Sequence, residues 1–101
     1  MIVYNISFKI NPDIETEWVQ WQQQEHIPEI MAYGQFTDFK FYRLLEPEQE
    51  DGLVYIVQYF SHSLDNYYHH INNIAPIYQQ KALEKWGEQF IAFRTLMQVV
   101  N

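Results

Sequence analysis

The side chains that could do chemistry gather in one stretch, Glu15 to Gly34, reading ETEWVQWQQQEHIPEIMAYG. Glu25, His26 and Glu29 stand close together there, beside Trp18 and Trp21. A histidine changes charge near neutral pH and can take or give a proton. A carboxylate on an apolar surface must be paired, be protonated or line an opening. The chemistry such residues would support is proton abstraction from a carbon acid or a phenol. His26 would be the general base, and Arg94 or Arg43 would stabilise the oxyanion. Glu25 is the second catalytic candidate. A metal site is disfavoured, because successive residues on a helix diverge by about 100°, so Glu25, His26 and Glu29 do not converge on one ion. No other pair of ligands has zinc-like spacing.

These residues need a helix to hold them. At about 100° per residue, Ile14, Trp18, Trp21, Pro28 and Ala32 share one stripe, with Glu17, Gln20, Gln23 and Gln24 away from it. Asn11-Pro12-Asp13 supplies a capped start, and Gly34 a left-handed stop. Glu25 falls at the centre of the apolar stripe, between Trp21 and Pro28. Pro28 cannot donate to the carbonyl four residues back, which predicts a kink or break and a new short turn from Pro28 to Ala32. The plainest alternative leaves Glu25 leaning to solvent and His26 partly buried with one backbone hydrogen bond.

The rest of the chain supplies the frame. Ile2 to Ile10 alternates, with Ile2, Tyr4, Ile6, Phe8 and Ile10 on one face of a strand. Residues 36–46 form a second, aromatic-rich strand. A polar turn over residues 46–52 carries an Asp51-Gly52 hairpin signal. Leu53 to Phe60 is apolar on both faces except at Gln58, as a central strand would be. Ser63 caps a second helix, whose stripe runs through Leu64, Tyr67, Tyr68, Ile71, Ile74, Ala75, Tyr78, Ala82 and Trp86, with Pro76 as the one point of interruption. Gly87 ends it. His69 and His70 read as surface residues and His62 as a turn residue. Glu88 to Val100 is the last strand. The order β-α-β-β-α-β gives an α+β fold: a ferredoxin-like, four-stranded antiparallel sheet with two helices on one face. One domain spans residues 1–101. A pocket beneath the first helix would be lined by Trp18, Trp21, Glu25 and His26, with Arg43, Gln58, Tyr59 and Arg94 from the strands.

Composition narrows the partners. Thirteen acidic residues against six basic ones give a net charge of −7. The basic residues are scattered, which argues against nucleic acid and against anionic membrane surfaces. The sequence has no cysteine, so disulfides, thiolate metal sites and a cysteine nucleophile are excluded. The N-terminal run reads as a strand and not as a signal peptide, no apolar run is long enough to span a bilayer, and a cytoplasmic location is the default expectation. No Gly-rich phosphate loop, haem attachment motif or Ser-His-Asp signature appears, so no cofactor is expected.

The sheet has more apolar surface than two helices can cover. Whichever face the helices take, the other keeps a greasy set, for example Val54, Ile56 and Phe60 with Ile91, Phe93, Met97 and Val99. Each such side chain gains roughly 1.5–3 kcal/mol on full burial. A homodimer, sheet against sheet, is the expected remedy, with the helices outside an α/β barrel.

Several motifs together carry a family likeness: W-x-x-W-x4-H-I-P at Trp18, Trp21 and His26 to Pro28, G-x-F at Gly34 to Phe36, V-Q-Y at Val57 to Tyr59 and F-R-T-L at Phe93 to Leu96. Over essentially the whole chain the sequence resembles a short bacterial family called domain of unknown function 4286, which has no assigned activity. More distantly it is similar to the dimeric α/β-barrel superfamily. That resemblance implies ligands held between sheet and helices, as in cofactor-free monooxygenases of polyphenols, muconolactone isomerase-like enzymes and haem-dependent relatives. Two functions follow as expectations. One is a small dimeric protein that binds or transforms a small aromatic or apolar molecule without a cofactor. The other is a non-catalytic structural or regulatory dimerisation module. A cavity of a few hundred Å³ beside Trp18 and His26 would favour the first.

Overall fold

Alternation in the first strand decides which side of the sheet is buried. In β1 (Ile2–Ile10), Tyr4, Ile6, Phe8 and Ile10 are buried on one face, while Asn5, Ser7 and Lys9 are half-exposed on the other. The computed structural model describes residues 1–47 and 52–101; the expected hairpin signal at Asp51 lies outside them. Three further strands, β2 (Asp38–Arg43), β3 (Leu53–Ser61) and β4 (Phe90–Gln98), join β1 in an antiparallel sheet of order β2-β3-β1-β4. Two helices, α1 (residues 15–32) and α2 (residues 64–86), bury their apolar sides on the Tyr4–Ile10 face. This is the ferredoxin-like α+β arrangement. The second strand is shorter than expected, and Phe36 leaves it to join the core.

The helix ends form as their residues dictate. The Asn11 side chain accepts a hydrogen bond from the Asp13 N–H at 2.9 Å, and Pro12 opens the single 3₁₀ turn, Pro12–Ile14, that leads into α1. Ser63 accepts from the Asn66 N–H at 3.3 Å to cap α2. Gly34 and Gly87 stand at φ 78° and 59°, left-handed positions that end the two helices without a Cβ penalty.

Neither Pro28 nor Pro76 breaks its helix. Each is absorbed by a wider, π-helical turn just before it: Gln22–His26 in α1 and His70–Ile74 in α2. The Ile27 N–H donates to the Gln22 carbonyl, and the Ala75 N–H to the His70 carbonyl, five residues back in each case. Pro28 and Pro76 lack the N–H that would reach four residues back, and their rings crowd that carbonyl; an extra residue in the turn relieves both.

That extra residue resets the helix phase by about 100°. His26, Ile27 and Ile30 therefore join Trp18 and Gln22 on the buried side, and Glu25, Pro28 and Ala32 turn outward. The expected stripe through Pro28 and Ala32, with Glu25 at its centre, is corrected accordingly. In α2 the same device buries His70, while Leu64 and Tyr68 are exposed.

The helix-free face is apolar at its margins and polar across its middle. Paired neighbours place Lys40, Gln58, Asn5 and Thr95 in one row spanning all four strands. Within that row the Gln58 amide donates to Asn5 Oδ1 at 3.3 Å, and Asn5 donates in turn to Ser7 Oγ at 3.4 Å. Flanking it are Val54, Ile56 and Phe60, half-buried, and Tyr42, Ile91, Phe93 and Met97, exposed.

Candidate functional site

The two resets of phase converge on one place. Between α1, α2 and the β1–β4 half of the sheet lies a cavity of about 60 Å³. Its walls are aromatic: Phe8 and Phe90 from the sheet, Trp18 and Trp21 from α1, and Tyr78 from α2. Trp18 is held there by edge contact with Phe8 at 5.1 Å between ring centres, and by Tyr55 and Phe41 behind it.

Polar groups enter from three sides. Gln22 is 1 % exposed, and neither its amide nitrogen nor its amide oxygen has a hydrogen-bond partner among the described residues. His70 is 2 % exposed, and its Nδ1 is likewise unpartnered. Both residues line the cavity. Buried polar groups without partners are rare and costly, on the order of 1–3 kcal/mol each, so two on the wall of one cavity make it the candidate site. The third polar contributor is Arg94, exposed on the edge strand and hydrogen-bonded to the Tyr4 hydroxyl. Burial raises the Tyr4 hydroxyl's pKa, and Arg94 pulls it the other way.

His26 sits on the cavity wall between two rings. It lies 4.5 Å from Trp21 and 5.7 Å, edge to face, from Tyr78. Burial lowers its pKa to about 4, helped by the charges of His70, Arg94 and Lys81. His70 is also lowered to about 4, by burial and then by its neighbour His69. Both rings are neutral at physiological pH. Tyr78 donates to the Tyr33 hydroxyl at 3.4 Å, and that bond, with burial, pushes its own pKa up to about 12.

The sequence candidates separate into those at the cavity and those elsewhere. Trp18, Trp21, His26 and Arg94 line it. Glu25 and Glu29 are exposed on the outer side of α1, which separates both carboxylates from buried His26. Tyr59 is buried beside the cavity, stacked with Tyr4 and tilted against Phe36, and is not part of its wall. Arg43 belongs to a different cluster: it lies 3.8 Å from the Glu15 carboxylate, which also accepts a 2.6 Å hydrogen bond from Tyr55. Gln58 points to the opposite face of the sheet. Its odd position in the strand follows the period-2 alternation of β3, whose buried set is Tyr55, Val57 and Tyr59.

Gln22, His70, Tyr4 and Tyr78 lie outside the set of site residues expected from sequence. His70 looks like a surface residue at a strict 100° spacing, and Gln22, about 40° from Trp18, looks like a flank residue of the apolar stripe. The signal that finds them is the proline six residues after each, Pro28 and Pro76.

Known proteins share this arrangement of sheet and helices. A family described as "Domain of unknown function (DUF4286)" matches residues 1–100. The chain belongs to the DUF4286 family. No curated protein matches it significantly. Among solved structures, this DUF4286 chain is similar to an ethyl tert-butyl ether D (EthD) family protein from Bacillus halodurans, with TM-score 0.73 and 13% identity over 99% of this chain and 100% of that one. It is also similar to a dimeric ferredoxin-like protein from an uncultured marine organism, with TM-score 0.60 and 10% identity over 99% and 96% of the two chains. A third is a mutant of SnoaB, a cofactor-independent oxygenase from Streptomyces nogalater, with TM-score 0.58 and 12% identity over 99% and 93%. At such identities the likeness is one of fold.

Proposed function

We propose that this DUF4286 protein is a homodimer formed through the helix-free sheet face, and that each subunit binds a compact, largely apolar or aromatic molecule in its cavity without a cofactor. The observation that carries the binding reading is an aromatic-walled cavity holding two unpartnered buried polar side chains, Gln22 and His70. Likeness in fold to a cofactor-independent oxygenase and to a dimeric ferredoxin-like protein supports it by analogy. Exposed Ile91, Phe93 and Met97 on the open face support the dimer.

Size limits the ligand. About 60 Å³ is roughly four or five times what a single water needs, which suits a single small ring and not a fused polycycle. It falls short of the few hundred Å³ expected of a binding cavity beside Trp18 and His26, so the binding reading rests on the unpartnered polar groups and not on volume. His26 is the group placed to deprotonate such a ligand, with Arg94 near the resulting oxyanion. A ring titrating near 4 is a weak base at neutral pH, so binding is favoured over catalysis.

A thermal-shift screen of single-ring aromatic and heterocyclic compounds tests the reading, run on the wild type and on His26→Ala. Stabilisation by at least one compound, diminished in His26→Ala, is the expected result. Equal shifts in both proteins would remove His26 from the site. No shift from any compound would favour the second reading, a non-catalytic structural or regulatory dimerisation module, which the small cavity also accommodates.

A further inference from the structure

Resting on the small-molecule reading above, we infer that the cavity selects an uncharged planar molecule with an amide- or lactam-type edge, one N–H beside one C=O, read by Gln22 with His70 as a second contact. A primary amide presents a donor and an acceptor side by side in one plane. Its complement is another group with the same pair in reverse order. Gln22 offers both atoms unpartnered, at 1 % exposure, on the wall of the cavity. His70 Nδ1 adds a further donor or acceptor, its role set by the tautomer. The aromatic walls of Phe8, Trp18 and Tyr78 favour a flat ring.

Charge argues for a neutral edge. Arg94, the cation on the cavity wall, is exposed and engaged with Tyr4, and among the described residues no buried Lys or Arg stands by Gln22. A carboxylate moved into this cavity would lose its hydration with no buried counter-charge, a large penalty. A lactam loses only hydrogen bonds that Gln22 and His70 restore. In a site built to hydrogen-bond its ligand, an analogue lacking the polar edge is discriminated against strongly, because it leaves the protein groups unpaired.

Calorimetric titration with 2-pyridone, toluene and benzoate, on the intact chain, decides the matter. Toluene matches 2-pyridone in heavy atoms and lacks the edge; benzoate carries a charge. 2-Pyridone is expected to bind at least tenfold tighter than either, and Gln22→Met to abolish that preference. The Gln22 side-chain NH₂ resonances of the wild type should move downfield with 2-pyridone, as a new hydrogen bond requires, and not downfield with toluene, a readout independent of how well the variant folds. Equal binding of 2-pyridone and toluene, unchanged in Gln22→Met, overturns the edge-reading role and leaves the apolar pocket standing. Tighter binding of benzoate overturns the neutral ligand class. Binding by none of the three overturns this inference, and the broader reading falls with it when the wider thermal-shift screen is also empty.

Discussion

Gln22 and His70 occupy the same place in the two halves of the fold. Each is the first residue of a five-residue π-helical turn, each lies six residues before a proline, and each turns a buried, unpartnered polar group toward the same cavity. The β-α-β halves repeat this device with different side chains, an amide in one and an imidazole in the other. A wide turn costs helix hydrogen-bond geometry, and an unpartnered polar group costs burial energy. Two such costs meeting at one point are what a site requires and what a purely structural core avoids.

Stability and function should therefore pull apart at Gln22. Replacing it with Met keeps the shape and removes both unpartnered atoms, a change that is neutral or stabilising by about 1 kcal/mol. Urea denaturation of Gln22→Met measures it. A loss above about 1 kcal/mol would mean the amide is engaged in the folded protein.

How much of this is legible in the sequence follows the same line. The strand of Ile2–Ile10, the caps at Asn11 and Ser63, the stops at Gly34 and Gly87, and the element order all follow from period-2 alternation and local end chemistry. Residue type and face also lead to Trp18, His26 and Arg94, which line the cavity. What misleads is the assumption of a constant 3.6-residue period. It puts Glu25 inside and leaves His70 outside, because a π turn leaves no mark in hydropathy and shows only as a proline within an otherwise unbroken pattern. Gln58 is misplaced for another reason: an isolated polar residue in an apolar strand looks like a pocket residue, and here it belongs to a polar row shared with Lys40, Asn5 and Thr95.

The π turn in α1 predicts an unusual tolerance to deletion. Removing exposed Gln23 together with Pro28→Ala converts the wide turn to a regular one and keeps Trp18 and Ile30 on the same side. Removing exposed Gln80 from the regular part of α2 rotates Trp86 by about 100° out of the core. The first change should cost no more than about 2 kcal/mol and the second over ~3 kcal/mol, in line with loss of a large core side chain. Circular dichroism melts compare the two directly.

Burial of the open face makes a prediction about assembly. Phe93 is 62 % exposed and Ile91 56 % in the single chain, on the rim of the apolar flank beside β4. In a symmetric sheet-to-sheet dimer each would be covered, and a charge there would be buried without a partner. Sedimentation equilibrium of the wild type should give twice the 12.3 kDa chain mass, and Phe93→Glu should give the chain mass itself. A wild type that sediments as one chain at micromolar concentration removes the dimer.

Acid should destabilise the fold through its two buried imidazoles. In the folded protein His26 and His70 titrate near 4, chiefly because burial disfavours their charged forms; in the unfolded chain each titrates near 6.5. Between those values the unfolded chain binds more protons than the folded one, so stability rises with pH across that window. The contribution is complete above about 6.5 and is lost as pH falls toward 4. The groups that shift His26 besides burial are His70, Arg94 and Lys81, all cationic when charged, so protonating either ring makes the other harder to protonate. The loss for one ring is on the order of 2–3 kcal/mol, and for both at least twice that, since repulsion between the charged rings keeps protons off the folded protein. Urea midpoints measured at about pH 7.5 and about pH 4.5, on either side of the window, on the wild type and on His26→Gln/His70→Gln isolate the effect. The double variant should keep most of its neutral-pH midpoint in acid, while the wild type falls. A variant as acid-sensitive as the wild type would remove the two imidazoles as the cause of the loss.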